Sequence, residues 1–236
     1  MIESTKGIVL SNMRYQESSL IAHVYTEKFG RRDYIIKGAY SKKNNKASFY
    51  LPLNILDLQV YEKGTPSLMM VKEVRIGIML MSLRTNPQKS MILTFLSELL
   101  EKTLRSDEVG NQELYQFLED SLIELDNINQ NWNSFTLQFM LRLSHHLGIG
   151  IASAQMLLNE TQSMAYIDEK LEECIEVLLQ QPYTHDYKFP LAIRREIMDH
   201  LVKFYTMQLP NFGELTSLRI LREMGESLRR SKSRNS

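Results

Sequence analysis

A chain of 236 residues, 43% hydrophobic and 24% charged, is long enough to bury a real core, as one large domain or two small ones. No apolar run approaches the roughly 18 residues a membrane span needs, and MIESTKGIVL lacks the basic start and long apolar block of a signal peptide. A single cysteine, Cys174, excludes an internal disulfide and fits a reducing compartment, so the cytoplasm is the expected location.

The formal net charge of zero conceals an uneven distribution. Between Thr26 and Lys46 the basic residues are Lys28, Arg31, Arg32, Lys37, Lys42, Lys43 and Lys46, against Glu27 and Asp33. Between Glu98 and Asp126 the balance reverses, with acids from Glu98 and Glu101 through Glu119 to Asp126 against Lys102 and Arg105. A positive N-terminal region is therefore followed by an acidic one.

The first 80 or so residues read as strands. Thr5–Leu10 and Ser19–Tyr25 are short apolar runs, Phe29-Gly30 marks a turn, and Asp33–Ala39 is a third strand. Leu53–Tyr61 alternates Leu56, Leu58 and Val60 with Asp57 and Gln59; after the turn Lys63-Gly64-Thr65-Pro66, Ser67–Val74 is a fifth. Five short strands joined by turns predict a small closed barrel of OB type.

Helical periodicity begins at Asn86-Pro87, where Asn86 suits an N-cap and Pro87 the first helical position. Ile92, Phe95, Leu96, Leu99 and Leu100 form one stripe; Leu114, Phe117, Leu118, Leu122 and Leu125 form a second, with its acids expected to face water. Trp132–Leu147 is apolar on nearly every side and reads as a buried central helix ended by Gly148 and Gly150. A stripe around Cys174 stops at Pro182, a long helix through Ile193–Tyr205 closes before Pro210, and Leu215–Met224 is the last. Strands followed by helices without βαβ alternation predict an α+β chain: a barrel over residues 1–80, a helical domain over 81–228 and a basic disordered tail over 229–236.

Signs of catalysis are few. No phosphate-binding glycine loop and no nucleophile elbow is present. His145 and His146 are adjacent, so on a helix their side chains diverge by about 100° and do not share a metal. Cys174 lies on an apolar stripe and reads as a small buried hydrophobe. No enzyme activity, cofactor or metal is expected.

The basic segment differs because aromatics interleave with it: Tyr25, Phe29, Tyr34, Tyr40, Phe49 and Tyr50. A positive groove with aromatic faces is how single-stranded nucleic acid is held. The alternative use of Tyr34 and Phe49 is to fill the barrel. The run Lys37 to Lys46 reads as a basic loop that follows a phosphate backbone without sequence preference. Charge and position select Arg14, Lys28, Arg31, Arg32, Lys37, Lys42, Lys43 and Lys46 as phosphate contacts, with Tyr34 and Tyr40 as stacking residues.

The succession Thr5-Lys-Gly-Ile-Val-Leu10, Tyr15-Gln-Glu-Ser-Ser-Leu20, Tyr25-Thr-Glu-Lys-Phe-Gly30 and Ile36-Lys-Gly-Ala39 resembles the opening of RecO recombination-mediator proteins. Phe135–Leu141 leading to His146-Leu-Gly148, Arg194-Arg-Glu-Ile197, and Leu209–Leu215 with Ser217-Leu218 resemble the central and closing helices of that family. The resemblance implies an OB barrel that binds single- and double-stranded DNA, a helical C-terminal domain, and annealing of complementary strands. It implies cooperation with RecR in loading RecA onto strands coated by single-stranded DNA-binding protein, in the nucleoid of a bacterial cytoplasm. It also implies capture of that protein's acidic, apolar C-terminal tail by the helical domain, for which Arg142, Arg194, Arg195 and Lys203 are the candidate charges. Many members carry four zinc-binding cysteines after the central helix; with Cys174 alone such a site is impossible here, and residues 151–187 replace it. The rival readings are a protein-interaction adaptor acting through the helical domain with no direct DNA role, and a hydrolase using the helical carboxylates.

Overall fold

The computed structural model of the protein describes residues 1–41, 44–61, 68–105, 110–129, 132–161 and 168–223. Lys42, Lys43, the turn at 63–66 and the tail at 229–236 lie outside the described residues. The chain divides into two compact units, Met1–Ile123 and Glu124–Ser236.

The first unit contains β1 (Ile2–Tyr15), β2 (Ser19–Thr26), β3 (Gly30–Ile36), a two-residue hairpin of β4 (Tyr40–Ser41) and β5 (Asn44–Asn45), then β6 (Ile55–Tyr61) and β7 (Met69–Ile78). Five strands close into a barrel in the order β1-β2-β3-β7-β6. All contacts are antiparallel except β3 with β7, which is parallel. This is the OB arrangement expected from the strand pattern.

The elements are longer than their apolar runs. β1 continues through the polar stretch Ser11–Tyr15 because it serves two neighbours: Ile2–Ile8 pair with β6, and Gly7–Tyr15 pair with β2. The register skips Leu10 between Val9 and Ser11, a bulge that bends the strand as it leaves β6 for the β2 hairpin. Gly7 lies where β1 has both partners. A Cβ there would stand 2.7 Å from Val24 Cγ1 and 2.9 Å from Leu58 Cδ1, so only glycine fits. Inside the barrel Leu20, Ala22 and Val24 of β2 meet Tyr34 and Ile36 of β3 and Leu56, Leu58 and Val60 of β6, with Phe49 packed against them.

The strands give way to helices after Ile78, yet α1 (Met81–Thr85), α2 (Pro87–Thr103) and most of α3 (Gln112–Asn127) belong to the barrel's compact unit. Asn86 caps α2 through its side chain, accepting from the amides of Gln88 at 2.9 Å and Lys89 at 3.3 Å. Ser97 Oγ donates to the carbonyl of Leu10 at 2.6 Å, which seats α2 on the bulge of β1. Not all acids of these helices face water. Glu119 is buried at 4% exposure, accepting from Lys6 Nζ at 2.9 Å and from the Tyr115 hydroxyl at 3.1 Å. A buried carboxylate needs such donors, and Lys6, outside the α3 sequence, supplies one.

In the second unit a 3-10 turn, Trp132–Ser134, leads into α4 (Phe135–His146), followed by α5 (Ala154–Thr161), α6 (Glu169–Gln180), α7 (Leu191–Gln208) and a helical segment at 216–223. α4 is central: Phe139, Met140, Leu141 and Leu143 are each at most 1% exposed, and the buried Tyr205 hydroxyl donates to the Met140 carbonyl at 2.7 Å. Gly148, at φ 74°, occupies the left-handed position that ends the helix. Where four cysteines are absent, Gln138 of α4 donates to the carbonyls of Leu178, at 3.0 Å, and of Gln181, tying α4 to the end of α6. Among the described residues no helix is long and apolar enough to cross a membrane.

Two outcomes follow. Gly7→Ala forces Val24 and Leu58 apart and should cost about 1–3 kcal/mol in urea unfolding. Lys6→Met removes a donor from buried Glu119 and should cost about 1 kcal/mol at neutral pH. The Glu119 carboxylate raises the Lys6 ammonium above its ordinary value of 10.5. The pair's contribution is therefore fully present below pH 10.5 and lost as pH rises through the folded value, so wild-type and Lys6→Met stabilities should converge in strong alkali.

Candidate nucleic-acid interface

The described basic residues between Lys28 and Lys46 do not form one surface. β2 and β3 run between two ends of the barrel, and an eight-residue strand separates its ends by about 26 Å. Lys28 and Arg31 sit at the β2–β3 turn; Lys37, Tyr40 and Lys46 sit at the opposite end, beside the β1–β2 hairpin.

At the turn end the charges are already engaged. Lys28 Nζ stands 3.6 Å from Glu3 Oε2. Arg31 donates to the Glu101 carboxylate and to the main-chain carbonyls of Glu101 and Leu104, both at 2.7 Å. Its guanidinium thus sits on the negative end of the α2 dipole and supplies donors to carbonyls that have no partner inside the helix. Ser11 Oγ donates to Glu101 Oε2 at 3.1 Å, and His23 Nδ1 lies 2.7 Å from Asp33 Oδ1 on the neighbouring strand. Arg32 is half-buried, with Nη1 donating to the Arg31 carbonyl at 2.8 Å. Tyr34 is fully buried in the barrel core and presents no ring face to a base, because its partners across the strands are Ala22 and Met69. The alternative use of Tyr34 and Phe49 as barrel filling is the one the structure adopts.

At the hairpin end the side chains are open. Arg14 is exposed; its Nη2 donates to the Glu17 carbonyl at 2.8 Å and its guanidinium lies 5.3 Å from the centre of the Tyr40 ring. Tyr40 is 38% exposed, and its amide donates to the Ser18 carbonyl at 3.1 Å, which pins β4 to the β1–β2 hairpin. Gly38, at φ 66°, makes the turn between Lys37 and Tyr40. The Ala47 amide donates to the Ala39 carbonyl at 3.1 Å, bringing Lys46 back beside that turn. Lys37 is exposed and Lys46 half-buried.

OB barrels receive oligonucleotides on the face of their second and third strands together with the adjoining loops. Here α2 occupies that face next to the β2–β3 turn through Arg31, Ser11 and Glu101. The open half is the one bounded by Arg14, Lys37, Tyr40 and Lys46. Charge counting along the sequence missed this division because the pairing of Arg31 with an acid 70 residues away leaves no mark on its neighbours.

In the second unit, Arg142 of α4 lies 4.3 Å over the Tyr183 ring and its Nη2 donates to the Gln181 carbonyl at 3.0 Å. Arg194 and Lys203 are nine residues apart on α7, which is half a turn round and about 13 Å along the helix. Burial holds the Arg194 guanidinium below its ordinary value, and its Nε has no hydrogen-bond partner. Arg195 Nη2 donates to the Arg222 carbonyl at 3.3 Å, and Lys203 Nζ to the carbonyl of Thr161 at the end of α5. The four candidates are thus not gathered around one groove. Cys174 is buried, and burial, then the charge of Glu173, pushes its thiol up. Among the described residues no group of three His, Cys, Asp or Glu side chains is placed to hold a metal ion.

Replacing Arg31 by alanine should lower stability by about 2–3 kcal/mol, since Glu101 and the last α2 carbonyls lose their donors together. Thermal melting checks this; an unchanged midpoint would show that α2 is held by its apolar stripe alone.

Residues 1–77 match the family model "Recombination protein O N terminal", and residues 84–157 match "Recombination protein O C terminal". The chain is similar to the DNA repair protein RecO of Azobacteroides pseudotrichonymphae, 29% identical over 94% of this chain and 98% of that protein. It is similar to the RecO proteins of Flavobacterium johnsoniae, 28% identical over 93% of this chain and 98% of its relative, and Flavobacterium psychrophilum, 29% identical over the same shares. A five-stranded barrel matched along its length, followed by a matched helical region, and relatives collinear from end to end agree on one assignment: the chain belongs to the RecO family of DNA repair proteins.

Proposed function

We propose that this chain is a non-catalytic recombination mediator that binds DNA without sequence preference at the hairpin end of its barrel and anneals complementary single strands. The observation that carries the reading is the convergence of Arg14, Lys37, Tyr40 and Lys46 on the open half of an OB barrel. Annealing is slowed by repulsion between two polyanions. A protein that neutralises phosphates on each strand, and releases their counterions, lowers that repulsion without any chemical step. Lys42 and Lys43, between β4 and β5 in sequence, add to this charge; Lys28, Arg31 and Arg32 contribute field rather than contact.

On the same reading the protein works with RecR to place RecA on strands coated by single-stranded DNA-binding protein, whose acidic, apolar tail docks on the second unit. Arg194 is the favoured anchor: a guanidinium that burial has stripped of water gains most from an incoming carboxylate. Arg142, Arg195 and Lys203 already donate to carbonyls and contribute less.

Substituting Lys37 and Lys46 together by glutamine should weaken binding to a single-stranded oligonucleotide and lower the slope of log K against log salt by about 1.4, two contacts at about 0.7 each. An unchanged slope removes this end of the barrel from the interface, and a loss of strand annealing in proportion to binding supports the non-catalytic mechanism.

A further inference from the structure

In the second unit, α7 closes on α5 through two side chains that grip one residue. Thr161, the last residue of α5, is buried at 3% exposure. Lys203 Nζ of α7 donates to its main-chain carbonyl at 2.5 Å. His200 Nδ1, three residues earlier on α7, lies 2.7 Å from its hydroxyl oxygen. A hydroxyl has one proton, and this one is used inside α5, on the Leu157 carbonyl at 2.6 Å. Thr161 Oγ1 therefore accepts from His200, which places the proton of the neutral imidazole on Nδ1 and leaves Nε2 with a bare lone pair. A second proton, arriving at Nε2, keeps the bond to Thr161 and puts a full charge on the half-buried ring.

The surroundings disfavour that charge. The same two helices bury Leu157, Leu158, Ile197 and Leu201 completely. The negative end of the α5 dipole, which would favour an imidazolium, is already taken by the Lys203 ammonium on the Thr161 carbonyl. Of the acids nearby on α7, Asp199 is bonded to Arg222 and Glu196 is exposed. On α5, Glu160 accepts from Gln208 at 2.8 Å. Burial holds the His200 imidazole below its ordinary value of 6.5; Lys203 acts in the same direction, against Glu196 and Asp199.

We infer that His200 and Thr161 form an acid-sensitive latch between α5 and α7, closed while the imidazole is neutral and opened by a second proton on the ring. Tyr205, further along α7, donates to the Met140 carbonyl of α4, so α7 stays anchored and the element released is α5. The closed seam binds the second proton less readily than an open one. Its stability is therefore full above pH 6.5 and falls as the pH drops below that value. One pH unit lower, the open seam gains by up to about tenfold over the closed one.

Hydrogen exchange of the full chain tests this, read on the amides of α5 at pH 7.5 and pH 5.5 and corrected for the intrinsic pH dependence of exchange. In the wild type the opening equilibrium of α5 should rise by about three- to tenfold at the lower pH. His200→Asn sets an amide N–H near the place of Nδ1–H and takes up no proton in this range. Its opening should change by less than about twofold. Thr161→Ser keeps the hydroxyl and should keep the wild-type response. A wild type that opens equally at both pH values, or a His200→Asn chain that responds as the wild type does, overturns the inference. If His200→Asn is already open at pH 7.5, nitrogen NMR of the wild-type imidazole decides. It should show the Nδ1–H tautomer and a titration midpoint below 6.5; a midpoint at or above 6.5 overturns the latch.

Discussion

The contact on which the barrel's use depends is that of Arg31 with the end of α2. One guanidinium satisfies the Glu101 carboxylate and two terminal carbonyls, in a place where the helix dipole favours a cation. It holds α2 over one half of the face formed by β2 and β3, and by doing so leaves the other half as the open one. An arginine that reads as a phosphate contact in the sequence thus serves as the tie between β3 and the end of α2.

The open end of the barrel carries Lys37, Lys46 and Arg14, whose charge is long-ranged, tolerant of geometry and weakened by salt. Tyr40 lies among them, with an exposed ring and the Arg14 guanidinium beside it.

The second unit shows how a helical domain that lacks a four-cysteine zinc site ties its helices together. Gln138 and Arg142, one turn apart on α4, both donate to the carbonyl of Gln181 at the end of α6, and Tyr183 stacks on Phe135 with ring centres 4.4 Å apart. Lys203 takes the carbonyl of Thr161 at the end of α5. Helix ends, whose carbonyls lack partners, are thereby tied to neighbouring helices. The basic residues that do this are the ones that charge alone would offer to an acidic partner.

Much was legible in the sequence by itself. The period-two runs and turns placed all five barrel strands, Asn86-Pro87 placed the first long helix, the all-round apolar pattern placed α4, and the lone Cys174 ruled out a four-cysteine zinc site. These are local properties, carried by residues a few positions apart. What only the tertiary structure decided depends on residues far apart in the chain: the length of β1, which its two neighbours set; the burial of Glu119, which Lys6 makes tolerable; the burial of Tyr34; and the pairing of Arg31 with Glu101.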